Sequence, residues 1–560
     1  MSKLNVKMMN VKMKKSFVLA GGLCLSSLLF AADGTRPLMG WSSWNTFALD
    51  ISEDLIVGVA QAMATNGLKA AGYVYVNIDD GFFAGHDKSG RLVMNPVRFP
   101  NGLKGTVDRI HALGMKAGIY SDAGVDTCGG QWDKANLTGP GLYGHDDADC
   151  RLHFGELGFD FFKVDFCGGK NLKLDVRERY EAISRAMRRA APGRDVRLNV
   201  CRWAFPGTWA AKVASSWRTT RDIRASWTSV RDIIAENLYL GAYVSPGHYN
   251  DLDMLEVGQR KGNVTSAFQS SGDVGFTPEE ERTHFGMWCF LSSPLVLGCD
   301  VRSLSPETLR LVTNPELIEM NQNDLGLQGV VVARDREAFV LVKDAGTLFG
   351  KTRYVALYNA NDEEQTFRVR AEDLDLAGTL KLRDLAARAD AGVFDGAFSF
   401  AVPAHGARFF RVAADRRLER TVYEAESAYL TDYSELDDSS YGRVESHLKF
   451  GRAYPAACEG ASGGVAVLNL GGRETNDLVW KDVAVFAGGA RRLTFRCQSS
   501  EARSFDVQID GGEKKELSVP ATNGTFVDVA FECRLAAGLH EVRLSNAAAK
   551  APVVDRLTIR

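Results

Sequence analysis

The chain lacks both an excess of charge of one sign and a high content of cysteine. Its 560 residues include 67 Lys and Arg and 70 Asp and Glu, so the net charge is −3, and the two signs are mixed along the sequence. This balance gives no basic surface of the kind that binds nucleic acid or anionic membranes. Ten cysteines in 560 residues are too few for a disulfide-built scaffold. They never occur as Cys-x-x-Cys, which argues against a structural zinc site. A neutral or small polar ligand fits better.

Long hydrophobic runs are also missing, apart from one short apolar stretch near the start. Residues 14–31 begin with two lysines, continue through that stretch and end in small residues, which is typical of a secretory signal peptide. A membrane helix would need about 20 apolar residues, and a lipoprotein anchored at Cys24 would need a small residue in place of Leu23. We therefore expect residues 1–31 to be a signal peptide, and the mature protein to be periplasmic or extracellular and not membrane-spanning.

Residues 35–322 alternate short apolar runs with longer amphipathic stretches, as repeated βα units do. The apolar runs predict strands at 73–78, 116–120, 159–165, 196–200 and 294–297. Helical periodicity is present at 53–70, 102–113, 173–191, 226–238 and 279–290. This pattern predicts the α/β class with a (β/α)₈ TIM barrel. A doubly wound sheet is the alternative, but no glycine-rich phosphate-binding sequence follows the first strand.

The chain becomes rich in β-strand patterns after the predicted barrel. Residues 323–414 predict an antiparallel β-sandwich, and the charged stretch 413–420 reads as a linker. Residues 420–560 again show short strand patterns separated by glycine-rich turns. We expect a second β-sandwich of the jelly-roll type there.

Carboxylates stand at the ends of the predicted barrel strands. They are Asp79, Asp80, Asp122, Asp165, Asp222, Asp251 and Asp253. Cleavage of a glycosidic bond needs two carboxyl groups, one to protonate the leaving oxygen and one to attack or to activate water. Each aspartate taken alone could instead be a helix N-cap. As a set they indicate glycoside chemistry.

Several motifs occur in a fixed order along the predicted barrel. They are LMGWSSWN at 38–45, NIDDG at 77–81, KVDFC at 163–167, Trp217 and Arg218 with Asp222, and YNDLDML at 249–255. Together they resemble glycoside hydrolase family 27, whose members are mainly α-galactosidases and α-N-acetylgalactosaminidases. The resemblance covers roughly residues 35–410. It implies a retaining exo-glycosidase that acts by double displacement on carbohydrates with terminal α-galactosyl groups, without a cofactor for catalysis.

The resemblance assigns Asp165 as the nucleophile and Asp222 as the acid/base. The strand pattern supports Asp165 separately, because Lys163 and Asp165 lie two residues apart and point the same way. A neighbouring ammonium favours the ionised carboxylate that a nucleophile requires, although a purely structural Lys–Asp pair is the alternative. Arg221 and Arg224 flank Asp222. We expect both to point away, because a contacting cation would lower a pKa that the acid role needs raised.

The resemblance also assigns the sugar-binding residues. They are Trp44, Asp79, Asp80, Tyr120, Lys163, Arg218, Asp253 and Met254. Asp79 and Asp80 match the carboxylates that bind the 4- and 6-hydroxyls, and such groups can distinguish an axial from an equatorial hydroxyl. We expect Asp251 to support Asp253 from behind.

Cysteines and one loop complete the predicted site. The resemblance pairs Cys128 with Cys167 in a disulfide, while Cys201 is expected to be a free buried thiol. Arg202 and Phe205 occupy positions where the family selects the substituent on the sugar's 2-position. The large Phe205 should disfavour an N-acetyl group, which favours galactose; alternatively, the loop is remodelled and Arg202 points outward.

Other functions stay open at this point. Within enzymes these are α-N-acetylgalactosaminidase and β-L-arabinopyranosidase, and outside enzymes a non-catalytic sugar-binding protein. The last domain resembles carbohydrate-binding modules of families 6 and 35, which implies a structural calcium held by Glu424, Glu426 and Asp555. Its aromatic residues could stack on sugar rings or fill the core; they are Tyr433, Tyr441, Tyr454 and Trp480. The sequence leaves the oligomeric state open.

Overall fold

The computed structural model describes residues 34–131, 139–267, 272–436 and 451–560, so the predicted signal peptide and Tyr441 lie outside the described residues. The described part begins with eight parallel strands in one sheet. They are β1 Met39–Ser42, β2 Tyr75–Ile78, β5 Lys116–Asp122, β6 Phe161–Asp165, β7 Arg197–Val200, β8 Ser216–Arg218, β9 Tyr249–Asp251 and β10 Leu295–Leu297. A small antiparallel hairpin follows β2, formed by β3 Phe83–His86 and β4 Leu92–Met94.

The parallel sheet curls into the predicted barrel. Its strand order is β10-β1-β2-β5-β6-β7-β8-β9. Leu255, shortly after β9, forms a parallel bridge with Leu297 of β10, and the Leu255 amide donates to the Val296 carbonyl at 2.7 Å. This bridge joins the two outer strands, and the predicted fold class is confirmed.

The five longest helices lie where helical periodicity predicts them. All described α-helices lie between or after the barrel strands. They are α1 Trp44–Phe47, α2 Glu53–Thr65, α3 Leu68–Ala71, α4 Lys104–Ala112, α5 Asp146–Cys150, α6 Cys167–Asn171, α7 Val176–Ala190, α8 Trp227–Asn237, α9 Pro278–Phe290, α10 Pro306–Val312 and α11 Pro315–Asn321. Asp175 caps α7 by accepting from the Glu178 amide, and Thr277 with Glu280 forms a capping box on α9. In the described ranges, no helix is long and apolar enough to cross a membrane.

The second domain is an antiparallel β-sandwich, as predicted. Its strands are β11 Val330–Asp335, β12 Ala338–Asp344, β13 Thr352–Asn359, β14 Gln365–Arg370, β15 Leu376–Asp384, β16 Ala389–Asp395, β17 Ala397–Val402 and β18 Ala407–Arg417. A six-stranded sheet in the order β11-β12-β13-β18-β15-β16 covers the pair β14-β17. Buried side chains such as Val342, Leu357 and Phe410 fill the space between them.

The prediction of a linker at 413–420 is wrong over its first part. Strand β18 continues to Arg417, which lies opposite Leu376 of β15. Arg417 and Arg420 both form ion pairs with Asp375, at 3.5 and 3.1 Å. The charge run that suggested a solvated linker instead anchors the end of the sandwich.

The third domain is also antiparallel. Its strands are β19 Val422–Glu424, β20 Tyr429–Leu430, β21 Tyr454–Ala457, β22 Val465–Leu468, β23 Leu478–Val485, β24 Gly489–Gln498, β25 Arg503–Ile509, β26 Lys515–Val519, β27 Val527–Leu535, β28 Gly538–Ser545 and β29 Val553–Ile559. One sheet has the order β21-β22-β29-β24-β27, with β19 beside β29, and the other has the order β20-β23-β28-β25-β26. Tyr433 and Trp480 are buried, so they act as core residues, whereas Tyr454 is half-buried.

The barrel and the second domain meet where a glycine lets two elements approach closely. A Cβ on Gly286 of α9 would lie 2.1 Å from a ring carbon of Phe409 in β18. Only a residue without a side chain allows this contact.

We expect Gly286→Ala to destabilise the protein by about 1–3 kcal/mol, because the added methyl overpacks this contact. Gly58 of α2 is the matched control, since a Cβ there would meet no atom within 4 Å. Gly58→Ala should leave the stability unchanged or raise it by up to about 1 kcal/mol, as expected for alanine in a helix. Thermal and urea unfolding measure both variants, and equal effects would contradict the assigned contact.

Candidate active site

The predicted site residues meet at the carboxyl end of the barrel. Asp165 is the last residue of β6, and Arg218 is the last residue of β8. Asp79 and Asp80 follow β2, and Asp253 follows β9. Loops at this end of a (β/α)₈ barrel carry the chemistry in the enzymes that share the fold. The strand ends therefore bring together residues that are far apart in the sequence.

Asp165 is a buried carboxylate held by the residue after its own strand and by the neighbouring strand β5. Its Oδ1 accepts from the Phe166 amide at 3.1 Å, and the Tyr120 hydroxyl donates to Oδ2 at 3.4 Å. Burial raises the pKa of Asp165 to about 7; the Lys163 ammonium lowers it, and the nearby Asp222 carboxylate raises it. Asp165 therefore changes its charge near neutral pH in the free protein.

Lys163 donates to a different carboxylate from the one that the strand pattern suggests. Its Nζ lies 2.9 Å from Asp79 Oδ2 and 5.3 Å from the centre of the Tyr120 ring. Burial disfavours the ammonium, but the carboxylates, led by Asp79, raise the pKa of Lys163 above its ordinary value. Lys163 thus stays charged, and it acts on Asp165 through its field.

The adjacent carboxylates Asp79 and Asp80 are both buried but are held by different elements. Besides Lys163, Asp79 Oδ2 accepts from Ser42 Oγ at 2.9 Å and from Asn77 Nδ2 at 3.3 Å. These donors come from β1 and β2, so the barrel wall fixes the Asp79 carboxylate.

Asp80 is held by the loop after β5. Its Oδ2 accepts from the Gly129 amide at 2.7 Å, and its Oδ1 accepts from Thr127 Oγ1 at 3.1 Å. Burial raises the pKa of Asp80 to about 6, although these two donors lower it. Because Gly129 follows Cys128, the orientation of Asp80 depends on the loop that contains this cysteine.

Arg218 is shared by two carboxylates. Its buried guanidinium lies 3.0 Å from Asp222 Oδ1 and 2.8 Å from Asp253 Oδ2. Asp222 itself is largely exposed, with 57% of its side chain accessible to solvent. Of the neighbouring cations, Arg224 forms its ion pair with Asp273 at 3.9 Å, and Arg221 is exposed. The cation on Asp222 is therefore Arg218, which sequence reasoning assigned to sugar hydroxyls.

Asp253 lies in a left-handed turn that its neighbours hold in place. Its φ of 79° is unusual for a residue with a side chain. Asp251 Oδ1 accepts from the Asp253 amide at 2.9 Å, and Asn199 Nδ2 of β7 donates to Asp251 Oδ2 at 2.7 Å. The expected support of Asp253 by Asp251 is confirmed. Met254 follows the turn and is buried.

The remaining predicted pocket residues lie close to this group. Tyr120 is buried beside Asp165. Trp44 is half-buried at the start of α1, directly after β1. Both therefore lie at the end of the barrel where the carboxylates converge.

The cysteines follow the predicted arrangement. The Sγ atoms of Cys128 and Cys167 lie 2.06 Å apart. The pair therefore links the loop that holds Asp80 to the position two residues after Asp165. Cys201 is buried and free, as expected. Its Sγ is 3.7 Å from Nη1 of Arg218.

Arg202 and Phe205 differ from both sequence readings. Arg202 is 1% exposed, and its guanidinium stacks on Phe166 and Trp203, so the outward orientation is wrong. Phe205 is also 1% exposed, and its ring packs against Tyr243 and Tyr433. The steric argument against an N-acetyl group needs this ring to line the pocket, and its placement does not support that.

Three polar residues near the site receive no individual role from the sequence, although Asp122 is one of the strand-end carboxylates. Asn77 and Asn199 are inward-facing side chains on buried strands, and a polar residue inside an apolar strand is the signal that could have identified them. Asp122 is buried at the end of β5, and its Oδ1 accepts from the amides of Gly124 and Gly168 at 2.7 and 3.0 Å. Burial and then Asp165 raise the pKa of Asp122 well above its usual range. Asp122 thus ties the loop after Asp165 to the neighbouring strand.

Two of the three acidic residues expected to hold calcium in the third domain bind protein donors. Asp555 Oδ1 accepts from Ser462 Oγ at 2.8 Å, and its Oδ2 is paired with Arg496. Ser462 Oγ also lies 2.6 Å from Glu424 Oε2. Burial and then Glu424 raise the pKa of Glu426 to about 9. Arg496 forms its ion pair with Asp555, and calcium binding by Glu424, Glu426 and Asp555 stays a prediction.

Removal of the shared cation gives a direct test of this electrostatic arrangement. Arg218→Met should destabilise the protein by about 3–5 kcal/mol, because it leaves Asp253 buried without its partner. The folded-state pKa of Asp253 is already raised by burial and should rise further. A carboxyl with a raised pKa binds more protons in the folded state, so the stability loss should grow as pH rises.

Arg221→Met is the matched control for this variant, because Arg221 is exposed and should contribute within about 0.5 kcal/mol. Urea unfolding in mildly acidic and mildly alkaline buffers measures both variants. A loss for Arg218→Met that is small, or the same in both buffers, would contradict the assigned pairing.

Comparison with known proteins agrees with this geometry. Residues 36–323 match the sequence profile of the family described as alpha galactosidase A, and residues 345–412 match the alpha galactosidase C-terminal beta sandwich domain. The chain is 35% identical over 382 residues to an α-galactosidase of Cyamopsis tetragonoloba, covering 67% of this chain and 86% of that protein.

Two solved structures show the same architecture. α-Galactosidase I from Mortierella vinacea has a TM-score of 0.61 at 29% identity, covering 69% of this chain and 98% of that one. A β-L-arabinopyranosidase from Geobacillus stearothermophilus has a TM-score of 0.58 at 26% identity, covering 68% and 97%. From its profile match, its relatives and its barrel, the chain belongs to the α-galactosidases of glycoside hydrolase family 27.

Proposed function

We propose that this protein is a retaining α-galactosidase that releases terminal α-linked galactose from oligo- or polysaccharides. The proposal is supported above all by the buried Asp165 beside Lys163. The exposed Asp222 is close enough to raise the pKa of Asp165. Membership of an α-galactosidase family supports the same substrate class.

In the first step, ionised Asp165 attacks the anomeric carbon of the sugar. Protonated Asp222 donates its proton to the glycosidic oxygen as the bond to the leaving group breaks. In the second step, Asp222 takes a proton from water, the water oxygen attacks the anomeric carbon, and the bond to Asp165 breaks. The two inversions restore the starting configuration, and the reaction needs only carboxyl groups and water.

The different exposures of the two aspartates suit these roles. Asp165 is almost fully buried, which protects a covalent intermediate from stray water. Asp222 is on the solvent side, where the leaving group departs and water enters. Arg218 bonds to Asp222 in the free protein, so we propose that the bound sugar takes up part of this contact and leaves Asp222 facing the glycosidic oxygen.

Galactose is the sugar that the buried carboxylates favour. Asp79 and Asp80 present acceptors that are fixed by separate donors. We propose that they bind the 4- and 6-hydroxyls, with Trp44, Tyr120, Lys163, Arg218, Asp253 and Met254 forming the remaining pocket wall. A carboxylate in a fixed direction rewards the axial 4-hydroxyl of galactose and not the equatorial one of glucose.

We also propose that the protein is exported. The signal-peptide pattern of residues 1–31 supports export, and so does the proximity of Cys128 and Cys167, because a disulfide persists in an oxidising compartment. Asp80 accepts from Gly129, next to Cys128, so this disulfide would help to orient a sugar-binding carboxylate.

Asp222→Asn should separate the two chemical steps. Galactosides with poor leaving groups should lose about 10²–10⁴-fold in kcat/KM, because they need the proton from Asp222. Aryl galactosides with good leaving groups should react nearly normally in the first step, which a pre-steady-state burst measures. Asp165→Asn is the comparison, and it should abolish the hydrolysis of both substrate classes. Equal losses on both substrate classes for Asp222→Asn would contradict the acid role.

The pH dependence of kcat/KM should report the charge of Asp165. Because the pKa of Asp165 is about 7 in the free protein, activity should fall as pH decreases below neutrality and the nucleophile becomes protonated. Lys163→Met removes the charge that lowers this pKa, so the acidic limb should move to higher pH. A limb that stays in place or moves to lower pH would contradict the assignment.

A further inference from the structure

The loop after β7 is held by the third domain. Phe205, in this loop, packs its ring 5.5 Å from Tyr433 of the third domain and 4.6 Å from Tyr243 of the barrel. The Glu435 amide donates to the Phe205 carbonyl at 2.9 Å, and Ser434 Oγ donates to the Pro206 carbonyl at 3.0 Å. Residues 201–209 are called here the β7 loop. Two of its carbonyl groups thus accept hydrogen bonds from the third domain, and its Phe205 ring packs on an aromatic side chain of that domain.

The two backbones approach closely at this contact. Gly207 has a φ of 116°, and a Cβ there would lie 3.3 Å from the Cβ of Ser434. Thr208 Oγ1 also donates to the Thr431 carbonyl at 3.2 Å. The β7 loop and residues 431–435 therefore fit together along several consecutive positions.

The β7 loop contains a backbone conformation that needs outside support. Trp203 has a φ of 38°, and the Ala204 amide donates to the Arg202 carbonyl at 2.5 Å, which closes a very tight turn. A bulky residue with positive φ is strained, and such strain persists only where the surroundings hold it. The third domain supplies part of these surroundings directly after the turn.

The same turn lies against the two residues that follow the proposed nucleophile. The Arg202 guanidinium is 5.5 Å from the ring of Phe166, the residue that follows Asp165. Trp203 packs with Cys167 and Cys201 in one buried cluster. A shift of the β7 loop would therefore move Arg202 and Trp203, which contact the two residues after Asp165.

The third domain is fixed to the other two domains at further points. The Leu430 amide donates to the Tyr243 hydroxyl at 3.1 Å, and the rings of Phe349 and Phe486 lie 6.2 Å apart across the contact with the second domain. Buried residues of the barrel and the third domain form one continuous apolar cluster. The third domain is packed on the catalytic barrel, unlike a module on a flexible linker.

We propose that the third domain is a built-in part of the active site, in which Tyr433 and Glu435 are positioning residues for the β7 loop. Through Phe205 they hold the strained Trp203 turn and keep Arg202 stacked on Phe166, the residue after Asp165, so the third domain affects how the sugar is positioned. This role rests on the proposed galactosidase function, but the loop contact itself does not.

The test uses the full-length chain with Tyr433→Ala and Tyr433→Phe. Tyr433→Ala removes the ring that packs on Phe205, and we expect faster amide hydrogen exchange over residues 203–208. We also expect kcat/KM on an aryl α-galactoside to fall roughly 10²-fold, the loss that a small misplacement of reacting groups can cause. Tyr433→Phe keeps the ring and removes the hydrogen bond from the Tyr433 hydroxyl to Glu435 Oε1 at 2.6 Å, so it should change both measurements much less than Tyr433→Ala.

Phe505→Leu is the control for general loosening of the third domain. Phe505 lies in that domain's own core, 5.5 Å from Phe495, and its replacement should leave loop exchange and kinetics unchanged. The proposal is overturned if Tyr433→Ala leaves the exchange of residues 203–208 unchanged, or if exchange rises while kcat/KM stays the same. It is also overturned if Phe505→Leu reproduces both effects.

Failure of the underlying function would look different. The unchanged protein would then hydrolyse no aryl α-galactoside, while the hydrogen-exchange comparison would still report whether Tyr433 holds the loop. An increase in exchange with no turnover in any variant would refute the galactosidase proposal and leave the structural contact supported.

Discussion

Burial of like charges at the carboxyl end of the barrel is the constraint on which the site depends. Asp79, Asp80, Asp165 and Asp253 are almost inaccessible to solvent, and Lys163 and Arg218 lie among them. Buried charges are tolerated only when they are paired and hydrogen-bonded. The barrel meets this condition with donors from several strand ends, while burial, together with neighbouring carboxylates, raises the pKa of Asp80 to about 6 and that of Asp165 to about 7.

This cluster of buried carboxylates is useful for sugar chemistry. Hydroxyl groups are donors, so a sugar entering the site supplies hydrogen bonds to carboxylates that water no longer reaches. The same interactions distinguish one hydroxyl configuration from another, because the acceptors cannot reorient without breaking their other bonds. Binding specificity and nucleophile charge thus come from one electrostatic arrangement.

Sequence reasoning predicts the parts of this protein that follow regular patterns. The longer strands, including β6 with Asp165, are apolar runs with a polar end, and the helices carry clear periodicity. Strands β1, β8 and β9 are not predicted, because their sequences MGWS, SWR and YND are not apolar runs. The partner of Lys163, the sharing of Arg218 and the placement of Phe205 depend on contacts between distant segments, which spacing along the chain does not encode. The predicted linker at 413–420 failed for a related reason, because a charged run can equally pair with a distant Asp375.

The third domain contacts the part of this chain that the family profiles match. The profile matches cover residues 36–323 and 345–412, which contain the carboxylates and the first sandwich. The contact of Tyr433 with Phe205 brings the third domain to the rim of that shared core. The resemblance of this domain to carbohydrate-binding modules stays a prediction, and its buried aromatic residues Tyr433 and Trp480 serve packing.

The central claim is that Asp165 forms a covalent bond with the sugar. Incubation with a 2-deoxy-2-fluoro galactosyl fluoride slows both steps and should trap this intermediate, and peptide mass spectrometry can then locate it. The account predicts one added fluorogalactosyl group on the peptide that contains Asp165, and none in Asp165→Asn. A label on Asp222 or another residue, or no label while aryl α-galactosides are still hydrolysed, would contradict it.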